Sequence, residues 1–142
     1  LSTILNRWFP EVTNDTIEDS LLMNNNGFGW VQSTNQYFYL VEDASINGIE
    51  LTDNDWIVAY NGDIIVGSRM YTVGGDIDIP IMGYDSSSDS IKISTQGYCK
   101  KGDIPIIKVH RENNEVVQMD VVVIEGSLEF DFGHAKVILK KD

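Results

Sequence analysis

Trp56-Ile57-Val58-Ala59-Tyr60-Asn61-Gly62-Asp63-Ile64-Ile65-Val66 is the stretch that decides the fold. Two short apolar runs flank an Asn-Gly pair. Both residues tolerate positive φ, so the pair is the strongest short-range hairpin signal. It predicts strands over 56–60 and 63–67 joined by a type I′ turn. Inside this stretch lies Gly62-Asp63-Ile64, and the same tripeptide returns as Gly75-Asp76-Ile77 and Gly102-Asp103-Ile104. Each time Gly permits the turn, Asp bonds locally and a β-branched Ile opens an apolar run. The spacings of 13 and 27 residues are too uneven for a solenoid.

Reading outward from the hairpin, the chain stays β. Gln36 to Val41 is rich in aromatics, and Ile46 begins a short strand broken at Asn47-Gly48. Arg69 to Val73 reads as a further strand, and Ile77 to Met82 as an edge strand or irregular extended segment, because Pro80 cannot donate to a ladder. Ile91 to Thr95 reads as a short strand after a polar loop over Asp85 to Ser90. Ile104 to His110, Val116 to Glu125, Leu128 to Phe132 and Ala135 to Leu139 follow, with a turn on Asn113-Asn114 and a break at Gly126. About ten short strands at this spacing indicate an all-β fold, an antiparallel β-sandwich of immunoglobulin-like or jelly-roll-like kind.

Residues 1–29 differ. Leu1 to Phe9 is apolar at irregular spacing, and Thr13 to Thr16 looks like a cap ahead of Ile17, Leu21 and Leu22 at helical spacing. The expected organisation is an N-terminal arm or short helix over 1–29, with the helix near 15–23 and Gly27 as its C-cap, and a sandwich domain over 30–142.

The composition bounds the function. The chain has 142 residues, and its 22 Asp and Glu against 10 Lys and Arg give a net charge of −12. Phosphate binding needs clustered basic residues, so a nucleic-acid partner is not expected, nor an anionic membrane surface. No apolar run approaches the roughly 18 residues that span a bilayer. Cys99 is the single cysteine, so no intrachain disulfide forms. The first residue is Leu1 with nothing like a signal peptide after it, which is expected of a processed chain or a piece of a longer one.

Chemistry is thinly signalled. No Gly-x-Ser-x-Gly elbow is present. His110 and His134 fall near strand ends, and Cys99 reads as a small buried residue rather than a nucleophile. One Cys and two His do not make a zinc site. Calcium takes six to eight oxygens, and the acids nearest one another in turns are Asp53 with Asp55, Asp76 with Asp78, and Asp85 with Asp89. Turn chemistry accounts for Asp63 and Asp103, which leaves Asp76, Asp78, Asp85 and Asp89 as the candidate calcium ligands. Such acids are also what solvated turns ordinarily carry. Aromatics are the other candidates. Trp56 reads as core, whereas Tyr84 and Tyr98 sit in loops, where exposed rings would suit a sugar or a protein surface.

An ordered series runs through the centre: Trp30, Gln36-Tyr37-Phe38-Tyr39, Ile46-Asn47-Gly48, Asp55 to Tyr60, Asn61-Gly62, Val66-Gly67-Ser68, Ile79 to Asp85, Gly97-Tyr98 and Gly102 to Pro105. This series resembles a β-sandwich module of large secreted or surface-displayed bacterial proteins and of environmental phage structural proteins. The resemblance covers about residues 30–120. It implies the fold and a non-catalytic display or adhesion role, and it carries no catalytic motif onto this chain. Tyr60 stands where Phe is usual in the series.

The expected function is therefore that of a non-enzymatic module in an extracellular, cell-surface or virion assembly, as a homo-oligomer or within a multi-protein complex. Residues 1–12 would add a strand to a neighbour, with Trp8 and Phe9 as contacts. The alternative is a carbohydrate-binding module that uses Tyr84 and Tyr98, with or without calcium.

Overall fold

Alternation of inward and outward side chains builds both sheets. The structure, a computed structural model, describes residues 27–142. The helix expected near 15–23 and the contact residues Trp8 and Phe9 lie outside the described residues. The elements are β1 (Gln36–Ile46), β2 (Ile49–Glu50), β3 (Trp56–Asn61), β4 (Ile64–Met70), β5 (Ile77–Met82), α1 (Asp89–Ser94), β6 (Ile106–His110), β7 (Val116–Gln118), β8 (Asp120–Glu125) and β9 (Gly133–Lys141). They form a β-sandwich. One sheet runs β4-β3-β6-β7; the other runs β2-β1-β9-β8, with β5 also paired to β1. All pairs are antiparallel except β1 with β9, which run parallel.

One core lies between the sheets. Tyr37, Tyr39, Val41 and Ala44 of β1 and Ala135, Val137 and Leu139 of β9 meet Ile57 and Ala59 of β3 and Ile107 and Val109 of β6. The inward set of β1 shifts by one residue between Val41 and Ala44. The pairing with β9 skips Glu42 there, and this bulge restores the apolar face to the core. The Asp55 carboxylate, almost fully buried, joins the start of β3 to the end of β6. Arg111 Nε and Nη2 donate to its two oxygens at 3.1 and 3.3 Å, and the Thr52 amide donates at 2.8 Å. Removing one partner of such a buried pair costs on the order of 3–5 kcal/mol.

Several local expectations change. The hairpin lies where the Asn-Gly pair put it, but its loop is Gly62-Asp63, between paired Asn61 and Ile64. Only Gly62 of the two has positive φ, the pattern of a type II′ turn rather than I′. In all three Gly-Asp-Ile tripeptides the glycine is left-handed, with φ of 62, 80 and 93°. Ile64 and Ile77 then open strands, while β6 waits until Ile106, after Pro105. Arg69 to Val73 is not a separate strand: β4 continues through Gly67-Ser68 to Met70. Ile91 to Thr95 is helical, because Ser88 caps the amide of Ile91 and Asp89 stands in the first turn. Val116 to Glu125 is two strands in different sheets, divided at Met119, whose amide donates to the Ile107 carbonyl. Leu128 to Phe132 forms no strand. Its carbonyls are taken one by one: the Tyr39 hydroxyl donates to Leu128 O and the Gly102 amide to Phe130 O.

Pro80 does sit on an edge strand, opposite Phe38 of β1. On the other side of β5 the sheets touch backbone to backbone. A Cβ on Gly67 would overlap the carbonyl oxygen of Pro80. Gly67→Ala is therefore expected to lower stability by about 3 kcal/mol. Urea unfolding checks this as a fall in midpoint at unchanged slope; an unshifted midpoint would mean that β4 and β5 separate freely.

Candidate functional site

Three loop segments and one irregular segment meet at one end of the sandwich and frame a cleft of about 230 Å³. Hydrogen bonds fix them to one another. The Asn35 side-chain amide donates to Tyr84 O at 2.8 Å, and the Gly83 amide to Asn35 O at 2.7 Å. The Tyr84 amide donates to Cys99 O at 2.9 Å, and the Phe130 amide to Asp103 O at 2.7 Å. The Asp103 carboxylate accepts from the Lys100 amide at 2.9 Å. Phe130 is the buried floor, its ring lying where a Cβ of Gly83 would be, 2.6 Å from that position. Tyr84, Lys100, Lys101, Asp131 and Phe132 complete the walls. Lys100 Nζ rests 5.2 Å from the centre of the Tyr84 ring. Phe132 is 80% exposed, the most exposed large apolar side chain among the described residues.

The predicted site residues fare differently. Tyr84 lines this cleft half-buried. Tyr98, expected to be an exposed loop aromatic, is only 6% exposed. Its hydroxyl accepts the Val31 amide at 2.9 Å and so pins the entry segment onto the fold. Tyrosine at 98 rather than phenylalanine is explained by that buried amide, which otherwise has no acceptor. Tyr37 and Tyr39 act alike, donating to the carbonyls of Ser127 and Leu128.

The four acids do not gather. Among the described residues no group of three or more His, Cys, Asp or Glu side chains could hold a metal ion. Asp76 has φ of 58° in its turn, and Asp78 pairs with Arg69 at 3.4 Å on the surface. Asp89 stands in the first turn of α1. Asp85 is buried and spends its oxygens on the protein: Thr34 amide at 2.9 Å, Thr34 hydroxyl at 2.7 Å and Ser87 amide at 2.9 Å. The Thr34 amide first, then the Thr34 hydroxyl and Ser87, hold its carboxyl far below the usual range.

Sequence reasoning missed a second surface. Ile57 and Ala59 point to the core, so alternation turns Trp56, Val58 and Tyr60 outward, and Trp56 is half-buried on the outer face rather than in the core. His110, opposite Trp56, lies on the same face. Phe28 covers part of it, 5.7 Å from Trp56 and 4.5 Å from His110 between ring centres. Ser68 donates to Phe28 O at 2.8 Å and accepts from Trp30 Nε1 at 3.1 Å, fixing this crossing segment. Burial, then the Lys108 charge, lowers the His110 pKa, and burial raises that of Tyr60. The Tyr60 hydroxyl and His110 Nε2 share a hydrogen bond at 2.8 Å. His134 is exposed opposite Phe38 on the outer face of the other sheet.

Cys99 lies behind the cleft, 2% exposed. Burial, then the charge of Asp103, pushes its thiol up to about 12. The cleft offers rings, lysines and a carboxylate. A comparison with protein-family models, with curated proteins and with solved structures finds no match to this chain.

Two outcomes follow from the buried groups. Tyr98→Phe leaves the Val31 amide without its acceptor and should cost about 2 kcal/mol in urea unfolding; unchanged stability would mean that water reaches that amide. With a pKa of about 12, only about 10⁻⁴ of Cys99 is thiolate at pH 8. A thiol reagent at pH 8 should label the denatured chain at once and leave the native chain unlabelled. Rapid native labelling would show that the 99–103 segment opens locally.

Proposed function

We propose that this chain is a non-catalytic β-sandwich module of an extracellular or virion assembly, working through protein–protein contacts. The observation that supports the reading is the edge of β8. Among the described residues β8 pairs only with β9. Its sequence, Asp120-Val121-Val122-Val123-Ile124-Glu125, carries charge only at its ends. Val121 and Val123 lie against the core, while Val122 and Ile124 are 41% and 49% exposed. A register irregularity between Val123 and Glu125 confines the flat ladder to 120–123. Isolated proteins blunt such edges with Lys, Pro, bulges or a covering element; β8 has an irregularity only past Val123, and the regular stretch over 120–123 suits the addition of a strand from outside.

The occupant in this reading is the apolar start of a neighbouring copy, residues 1–12, with Trp8 and Phe9 as anchors. The described chain begins at Gly27, and the 26 residues before it, fully extended, reach roughly 85 Å, enough to cross to another subunit. Strand addition needs backbone pairing from four or five residues and pockets for alternate side chains, which Leu1 to Val12 can supply.

Mass measurement by light scattering is the test. The full chain should be oligomeric. A chain lacking residues 1–12, and separately Val122→Lys, should be monomeric with unchanged far-ultraviolet circular dichroism. Normal assembly of the truncated chain, or a full chain that stays monomeric at every accessible concentration, sinks the reading.

A second reading, carbohydrate binding, has its own support in the aromatic cleft beside Tyr84. Rings with polar groups at their rim are what a sugar-binding surface uses.

A further inference from the structure

We propose that the cleft bounded by Asn35, Tyr84, Lys100, Lys101, Asp131 and Phe132 binds a sugar residue that carries a carboxylate, a uronic acid of an acidic glycan. The inference rests on the carbohydrate reading above and names the ligand class of that cleft.

Charge is the first argument. Acids outnumber bases by 22 to 10 in this chain, so two lysines lining one concave surface are a local exception to its charge. The ion pairs among the described residues are Arg69–Asp78, Arg111–Asp55 and Lys136–Glu125. Lys100 and Lys101 are in none of them, nor are Lys92, Lys108, Lys140 and Lys141; what sets the first two apart is that both line one cleft, with Asp131 beside them. Two lysines therefore contribute to the lining of one concave surface. Lys100 is also positioned, its ammonium held against the Tyr84 ring. That contact gives Tyr84 the role of orienting the lysine and leaves the stacking role to another ring.

Phe132 is that ring. At 80% exposure it contributes nothing to the core, and its face is open to a ligand at the rim. The apolar C–H face of a pyranose covers such a ring, as aromatic side chains in sugar sites are used. The remaining groups suit a sugar better than a simple acid. Asp131 accepts hydrogen bonds from hydroxyls, which a carboxylate ligand without hydroxyls would not offer. A cavity of about 230 Å³ is below the roughly 300–1,000 Å³ of sites for larger ligands, so it suits one ring, the terminal residue of a chain or one residue gripped in passing. The frame is stiff: the hydrogen bonds that join Asn35, Tyr84, Cys99, Asp103 and Phe130 tie its walls together before any ligand arrives.

The experiment titrates the full chain with a galacturonate trisaccharide, the neutral galactose trisaccharide and acetate, followed by calorimetry and by amide shifts. The uronide should bind at least about tenfold more tightly than the neutral sugar, since a charged hydrogen bond is lost with the carboxylate. Phe132→Ala, and separately the pair Lys100→Met with Lys101→Met, should each weaken uronide binding by about fivefold or more. All these side chains are exposed, so the variants should fold, and circular dichroism confirms it. Equal binding of neutral and acidic trisaccharides overturns the proposal but leaves the carbohydrate reading standing. Acetate binding as tightly as the uronide overturns it in favour of a plain anion site. Absence of binding by either trisaccharide removes both, and uronide binding unaffected by Phe132→Ala places the sugar elsewhere.

Discussion

The parallel pairing of β1 with β9 is the constraint on which the rest of the sandwich hangs. β1 is the spine of its sheet: β9 runs along one side of it, and β5 and β2 share the other. Its inward residues Tyr37, Tyr39, Val41 and Ala44 meet Ala135, Val137 and Leu139 of β9, and together these form most of one wall of the core. The bulge at Glu42 is forced by that pairing, because without it Ala44 would turn to solvent. The Gly75 turn then lies so close to the bulge that a Cβ at Gly75 would overlap the Glu42 carbonyl oxygen. Even the cleft depends on β1. The Tyr37 and Tyr39 hydroxyls hold the Ser127–Leu128 segment, and from there the chain runs on to Phe130 and Phe132.

Much of this architecture could be read from local patterns, and the failures share a cause. The hairpin closed at Gly62-Asp63 and the turn on Asn113-Asn114, where the Asn114 amide donates to Arg111 O, rest on interactions within a few residues. Segments whose partners are distant in sequence read poorly. Leu128 to Phe132 has strand composition, but its backbone groups bond Tyr39, Gly102 and Asp103, about 25 to 90 residues away, and no local pattern reports such bonds. Val116 to Glu125 reads as one run because nothing local marks the crossing at Met119. Ile91 to Thr95 differs in kind: its two isoleucines suggest a strand, but the Ser88 cap starts a helix over Asp89–Ser94.

The candidate site divides along the same line. Tyr84 was readable as an accessible loop aromatic, and Tyr98 was not, because its burial depends on the Val31 amide far upstream. Phe132 carries no local signal of exposure, since Leu128-Glu129-Phe130-Asp131-Phe132 has the alternation of a strand. The alternation of β3 held the cue to Trp56: an apolar strand that is buried on both faces needs a second layer, and Phe28 to Trp30 is that layer.

The division of apolar surface bears on the assembly proposed above, which an acidic chain would have to achieve against its own charge. Net charge of −12 keeps copies apart at long range, so contact requires patches where neutral side chains dominate. Val122 and Ile124 on β8 form such a patch, and Phe132 with Lys100 and Lys101 forms a local exception to the negative field.

The β1–β9 pair has a consequence in time as well as in space. The two strands pair Tyr37 with Gly133 and Ile46 with Lys141, so about 95 residues separate every pair of neighbours in the ladder. During synthesis β1 cannot find its parallel partner until β9, about 95 residues further on, has emerged. Until then one long side of its backbone is bare, in a strand lined with aromatic residues. Between the synthesis of β1 and that of β9 the nascent chain therefore carries a half-paired ribbon, the kind of exposed strand edge that pairs with neighbours.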